Sequence, residues 1–313
     1  MTPGKSFFST NEIRALSARS DLTGTFLILH CYGVIALALA VFALWSSALT
    51  FLLAIAVIGS RQLGLAILMH EAAHNALFKT RRLNEFFGEW FCGRVILADL
   101  PQYRRYHLQH HRFTQTENDP DLVLSKPFPT TRASLRRKFT RDLSGQTGVK
   151  LRVAQIMLFY KMAGDVDNDG RAVDPSVFGN GELGRALLAN IVLFALFWIV
   201  GAWWWWLAFW ALPLLTWFQL VVRIRNIAEH GAVEFSDNPL QNVRTTLAGP
   251  LMRLFIAPYW VNYHLEHHLV MHIPAHRLPK VHALMLDKGY GPKMRVGRTY
   301  FEVLRAASAK PAT

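Results

Sequence analysis

Two stretches of the chain carry no Asp, Glu, Lys or Arg: Leu22 to Ser60, 39 residues, and Ala186 to Val222, 37 residues. At about 1.5 Å per residue either would make a helix near 60 Å long against a hydrocarbon core of about 30 Å, so each predicts two spanning helices folded back on each other. The first pair is expected at about residues 26–45 and 48–69, turning at Ser46 and Ser47. The second begins with 187–200, loosens at Gly201 and returns through 212–222. Trp203 to Trp206 supply amphipathic rings suited to a membrane interface.

Four crossings leave both termini and the middle of the chain on one side. Every Lys and Arg except Arg61 then falls in those segments, so the positive-inside rule puts them in the cytoplasm. Arg61, near the inner end of its helix, is expected to snorkel or pair. The fold class is therefore an all-α, multi-pass integral membrane protein with two transmembrane pairs, about 26–69 and 187–222. A cytoplasmic helical cap from 72–185 and 223–313 completes one domain over 1–313. Within the cap, the apolar stretch 86–97 and the basic amphipathic stretches 132–141 and 150–161 read as helices lying on the membrane surface, and 164–181 as a loop.

Composition agrees: 52% of residues are hydrophobic and 18% charged, too apolar for a disordered chain, and the two cysteines, Cys31 and Cys92, are too few for a secreted disulfide scaffold. The first apolar run lies behind some twenty polar residues and is far longer than a signal h-region, so no cleaved signal peptide is expected. The net charge of +13 follows from cytoplasmic Lys and Arg and calls for no nucleic acid partner.

The chemistry lies in the histidines. Nine of thirteen fall into four short groups: His70 and His74; His107, His110 and His111; His230; and His264, His267 and His268. Residues three and four apart share a helix face, so each group can aim its imidazoles at one point, with Asn226 one turn before His230. His70 and His74 lie just past the inner end of the second crossing, Asn226 and His230 just past that of the fourth, and the two His-x-x-His-His groups lie in the cytoplasmic segments, so all four can meet beneath the membrane. One zinc ion needs three or four ligands, so nine candidates imply two metals. Imidazole suits iron, zinc and copper alike; a pair of irons can activate dioxygen and take up electrons, which zinc cannot do.

These residues resemble the integral-membrane fatty acid desaturase superfamily, whose three histidine boxes look like His70-Glu71-Ala72-Ala73-His74, His107-Leu108-Gln109-His110-His111 and His264-Leu265-Glu266-His267-His268. Asn226 to His230 is similar to the family's further ligand pair, in which the Asn reaches metal through water. The resemblance runs over nearly the whole chain and implies a di-iron centre of two iron ions held by the nine histidines and Asn226. It further implies dioxygen as co-substrate and a lipid or fatty acyl chain as substrate, desaturated in an apolar tunnel between the second and fourth helices and the cap. No recognisable fused haem domain is expected, since no stretch before the first crossing or after the last offers the length for one, so a separate donor, a ferredoxin or cytochrome b-type protein, is expected, in keeping with a bacterial inner membrane. Carotenoid hydroxylases and ketolases carry similar boxes and form the alternative.

His70-Glu71-x-x-His74 alone is also the helical zinc-protease pattern, but that reading leaves both His-x-x-His-His groups unexplained, and Glu71 is expected to support a ligand instead. A metal transporter would place its site within the spanning helices. Asp165-x-Asp167-x-Asp169-Gly170 copies half a calcium loop but has Ser176 at the twelfth position, so it reads as a polar turn. His30 is expected to be a hydrogen-bonded interior residue, and His272, His276 and His282 to support the third box or lie at the surface. Arg104 with Arg105, and Arg136-Arg137-Lys138, are candidate contacts for anionic headgroups or an acidic donor.

Overall fold

The computed structural model describes residues 7–161, 180–236 and 238–310. The Asp165–Gly170 motif and nearly all of the expected loop 164–181 lie outside them. Asn180 and Gly181 already belong to a helix.

After a short helix α1, Thr10–Leu16, the chain enters α2, Asp21–Leu44, and α3, Ala48–Ala73. Ser20 caps α2 by accepting from the Thr23 N–H, and Ser47 with Thr50 closes a reciprocal cap on α3, which fixes the turn between them at the expected serines. The two helices have different surroundings. Leu22, Phe26, Leu29 and Leu37 on α2 are exposed, as befits a helix turned toward lipid. From Ile58 to Ala73 every residue of α3 but Ala66 is buried, making it the central helix.

That burial explains its polar residues. Arg61 does not snorkel: its guanidinium donates to the carbonyls of Arg253 at 3.1 Å and Leu254 at 2.7 Å, at the end of a short helix, α13, Pro250–Phe255. Gln62 donates to Trp210 O at 2.8 Å. The last carbonyls of α3 are held by Asn84 and Arg104, each 2.9 Å from Ala72 O, with Arg104 also reaching Ala73 O and Glu85. Arg104 is therefore a clamp on α3, which corrects the expectation of a surface contact.

Helix α4, Arg81–Phe87, runs into a π-helical turn, Gly88–Gly93, and a 3-10 turn, Arg94–Ile96, so the apolar stretch 86–97 is not one surface helix. Gly88 is required there: a Cβ on it would lie 2.4 Å from the Ala72 Cβ. Arg94, buried, pairs with Glu89 and with Asp99. Helices α5, Leu100–Phe113, α6, Leu122–Ser125, α7, Arg132–Leu143, and α8, Gln146–Lys161, form one part of the cap.

The second apolar run gives α9, Asn180–Val200, then α10, Trp203–Trp206, a π turn, Leu207–Ala211, α11, Leu212–Leu215, and α12, Trp217–His230. Among the described residues, three helical segments are long and apolar enough to cross a membrane: Asp21–Leu44, Ala48–Ala73 and Trp203–His230. The third expected crossing, 187–200, coincides with the shorter apolar helix Gly184–Val200. At 28 residues Trp203–His230 would extend about 42 Å, past a 30 Å core. Asn226 and His230 lie in the last two turns of this helical segment. The C-terminal part adds β1, Thr245–Thr246, paired in parallel with β2, Val296–Gly297, then α14, His264–Leu269, α15, Leu278–Asp287, and α16, Tyr300–Ala307. Both cysteines are buried and unbridged.

Candidate metal centre

Each histidine group sits where its helix ends or turns. His70 closes the last turn of α3 and His74 is its C-cap, followed by Asn75 at φ 54°. Asp99 caps α5 by accepting from Gln102 N, with Pro101 in the first turn, so the following residues stay helical and His107, His110 and His111 face one way. Tyr259 and Trp260, at φ 52° and 59°, turn the chain sharply into α14 and its three histidines. Left-handed conformations at such residues cost about 1–3 kcal/mol each, and they flank two of the histidine groups. The Tyr259 hydroxyl, 3.3 Å from Leu27 O and 3.0 Å from His30 Nδ1, ties that corner to α2. His30 is hydrogen-bonded as expected but exposed rather than interior.

The nine histidines meet in two groups: His70, His74, His107, His111 and His267 in one, His110, His230, His264 and His268 in the other, the candidate ligand atoms within each lying within 4.8 Å of one another. The Nε2 atoms of His107 and His267 each lie 3.0 Å from His111 Nε2. In the second group His264 Nε2 is 2.7 Å from His230 Nε2 and 3.1 Å from His268 Nε2. The groups touch where the rings of His111 and His268 lie 4.3 Å apart.

Imidazole nitrogens gathered this closely suit a cation. His74 Nε2 is buried without a hydrogen-bond partner, which leaves a lone pair free for one. Burial, then neighbouring imidazoles, hold His107, His111, His264, His267 and His268 well below the usual histidine range. Burial, with Arg104 and His272 nearby, brings His74 down to about 3. All six are neutral at physiological pH, the form that binds metal. Asn226 lies on the wall of a cavity shared with His230 and His264.

Carboxylates orient the rings from outside. His110 Nδ1 donates to Asp119 Oδ1 at 2.8 Å, and Asp119 also accepts from the N–H groups of Gln115 and Asp121. Burial works against the Asp119 charge, but these hydrogen bonds hold it below the ordinary carboxylate range. With its proton fixed on Nδ1, His110 presents a free Nε2 inward. Glu229, paired with Arg225 at 2.7 Å, lies 3.5 Å from His264 Nδ1. Glu266 is gripped by Thr245 and by His282 at 2.6 Å, which gives His282 a supporting place in the third box. Glu71 accepts from the Ala275 N–H at 2.7 Å and lies 3.5 Å from His70 Nδ1. His276 lies edge-on to Trp260, away from both groups. Thr114 reaches His268 Nδ1, and Tyr103 stacks on His107.

Sequence reasoning missed Asp119, Glu229, Thr114 and Tyr103. An acid directly before His230, and an acidic stretch eight residues past His111, were the available signals.

A cavity of about 580 Å³ opens onto His107, His110, His230 and His264. It lies between α12 and the cap, where a substrate tunnel was expected, but α3 does not line it. Its wall is mixed: Val123, Leu124, Phe128 and Leu151 alternate with Tyr103, Asp121, Lys138, Gln219, Arg223 and Arg225. A more uniformly apolar cavity of about 660 Å³ lies between α2, the 86–95 segment and α9, and no histidine lines it.

Helices long and apolar enough to cross a membrane, with two adjacent histidine clusters gathered at the ends of two of them, define a class of membrane protein with a candidate metal centre. The sequence matches the fatty acid desaturase family over residues 43–299, most of its length, and the chain belongs to that family. It is 28% identical over 280 residues to a dihydrorhizobitoxine desaturase of Bradyrhizobium elkanii, covering 86% of this chain and 77% of that protein. It is 27% identical over 220 residues to a beta-carotene ketolase of Paracoccus sp. (strain PC1), covering 69% of this chain and 73% of the relative.

Proposed function

We propose that this protein is a dioxygen-dependent desaturase that introduces a double bond into an acyl chain or acyl lipid. The observation that carries the reading is the gathering of nine histidines into two adjacent groups, each with its candidate ligand atoms within 4.8 Å. We assign His70, His74, His107, His111 and His267 to one iron and His110, His230, His264 and His268 to the other, with Asn226 approaching the second through water. Bound there, two irons would supply the redox chemistry that activates dioxygen against an unactivated C–H bond. Overall, the substrate gives up two hydrogens from adjacent carbons, a donor gives two electrons with two protons, and dioxygen leaves as two waters.

The chain's own residues have three tasks. Asp119 holds the His110 imidazole by a hydrogen bond, Glu229 and Glu71 stand beside His264 and His70, and Glu266 fixes His282 behind the third box. Burial keeps the imidazoles neutral and limits water at the centre. The cavity positions one carbon pair against the histidine clusters, which for a chain without reactive groups is most of what a protein can contribute. Electrons would come from a separate ferredoxin or cytochrome b-type donor. The exposed Arg136 and Arg137 on α7 would serve its docking, with both termini and the cap in the cytoplasm of a bacterial cell.

The likeness to a beta-carotene ketolase favours a second reading, oxygen insertion into a carotenoid or other lipid by the same centre. Expression with a compatible donor and reductase, compared with a His267→Ala control by whole-lipid mass spectrometry, tests both. Products lighter by two hydrogens only in the wild type support the desaturase; products heavier by oxygen move the assignment to the second reading.

A further inference from the structure

The cavity that reaches the histidines has a charged end. Lys138 on α7 and Arg223 and Arg225 on α12 line its wall, against one carboxylate, Asp121, which already accepts from the Tyr106 hydroxyl. Arg225 is engaged by Glu229 and Arg223 by both oxygens of Asp142. Lys138 makes no hydrogen bond or ion pair among the described residues, because Asp142, one turn further along its helix, is taken by Arg223. Burial, then Arg223 and Arg141, hold the Lys138 ammonium below the ordinary lysine range, the mark of a cation short of counter-charge. In sequence Lys138 belongs to a surface patch with Arg136 and Arg137. The fold turns it inward while those two stay exposed.

Helix α12 links this charged end to the candidate metal centre. Gln219, Arg223, Asn226 and His230 recur at three- and four-residue spacing along the cavity wall, the polar stripe of one helix face. Seven residue steps separate Arg223 from His230, a rise of about 10 Å along the helix.

We infer that the substrate carries an oxyanion, a carboxylate or a phosphate ester, that Lys138 together with Arg223 receives in this cavity, with the chain running from it along α12 toward the histidines. The inference rests on reading the site as an oxidising centre and narrows its substrate to a chain with a nearby anionic head. A neutral lipid would leave Lys138 half-buried without a counter-ion. An anion would complete the site, with Val123, Leu124 and Phe128 covering the apolar part of the chain.

The test measures binding, not turnover. Iron-loaded protein in neutral detergent is titrated with octanoate, octyl phosphate, octanol and inorganic phosphate, for the wild type, Lys138→Met and Lys138→Arg in the same micelles. At least one of the two chain-borne anions should bind the wild type more tightly than octanol does. It should weaken about tenfold or more in Lys138→Met, stay within about threefold in Lys138→Arg, and weaken in the wild type as salt is raised. Which anion binds better identifies the head. Equal binding of the anions by wild type and Lys138→Met, or of octanol and the anions by wild type, overturns the inference. Inorganic phosphate binding as tightly as octyl phosphate also overturns it, by showing a site for free anion. Iron measured in the same preparations separates the two claims: protein without iron contradicts the oxidising centre, whereas iron-loaded protein indifferent to Lys138 contradicts only the anionic head.

Discussion

Asp119→Asn isolates the contribution of one outer carboxylate to one histidine cluster. Wild-type Asp119, buried, accepts three hydrogen bonds, from His110 Nδ1 at 2.8 Å, Gln115 N at 2.8 Å and Asp121 N at 2.9 Å, using both oxygens. Asparagine offers one oxygen. Turned toward His110 and Asp121, it sets its amino group against the Gln115 N–H; turned the other way, it faces two donors with a donor. Leaving a buried donor unpaired costs about 1–3 kcal/mol, and the charge-assisted bond to His110 is worth about 1.5–3 kcal/mol. Losing a partner that orients a metal-binding histidine typically lowers metal affinity 10- to 100-fold, about 1.4–2.7 kcal/mol, so the estimates meet near 2 kcal/mol. Asp119 contacts only the group of His110, His230, His264 and His268. Dialysis against graded chelator, followed by metal analysis, should therefore show the variant losing about one metal per chain at 10- to 100-fold lower chelator than wild type, while the second metal leaves where it does in wild type. Superimposable curves would refute the orienting role. Simultaneous loss of both metals would refute the separation of the clusters.

Acidification should destabilise the metal-free protein. Burial and neighbouring imidazoles hold His107, His111, His264, His267 and His268 well below their unfolded values, so below about pH 6.5 the unfolded chain binds more protons and stability falls as pH falls. Melting temperature across pH 8 to 5 checks this, and a flat profile contradicts buried neutral imidazoles. Arg94→Met leaves Glu89 and Asp99 without the buried guanidinium between them and should cost about 3–5 kcal/mol, read as a fall in melting temperature and in yield of folded protein. Wild-type stability in Arg94→Met would show that these acids find other partners.

What was legible in the sequence was what is local. Charge-free runs marked the apolar helices and the serines that turn the first pair, and three- and four-residue spacing marked which imidazoles share a face. The meeting of the four groups also followed, from an expected topology that puts each at the end of a long apolar helix or in the segment beside it. Asp119 and Lys138 were hidden for a different reason: their roles come from which helix packs against which, and α7 meets α12 through the pairing of Asp142 with Arg223, 81 residues apart. Arg104 was misplaced because its partner was sought at the surface, whereas it reaches Glu85 and the carbonyls that end α3; Arg61 pairs, as one of its two expected outcomes, with carbonyls that end a helix. The stretch 86–97 looked like one apolar helix, and its π and 3-10 turns reflect the tight seat of Gly88 against Ala72 and the ion pairs of Arg94, neither of which has a periodic signature.

The central claim is that the nine clustered histidines, seven of them buried, hold two irons. Metal analysis of the protein purified without added metal tests it most directly, alongside His74→Ala and His230→Ala, one variant from each cluster. The account predicts two irons per chain in wild type and about one in each variant, the other cluster remaining filled. One metal per chain in wild type, two zinc ions, or iron content indifferent to both substitutions would contradict it.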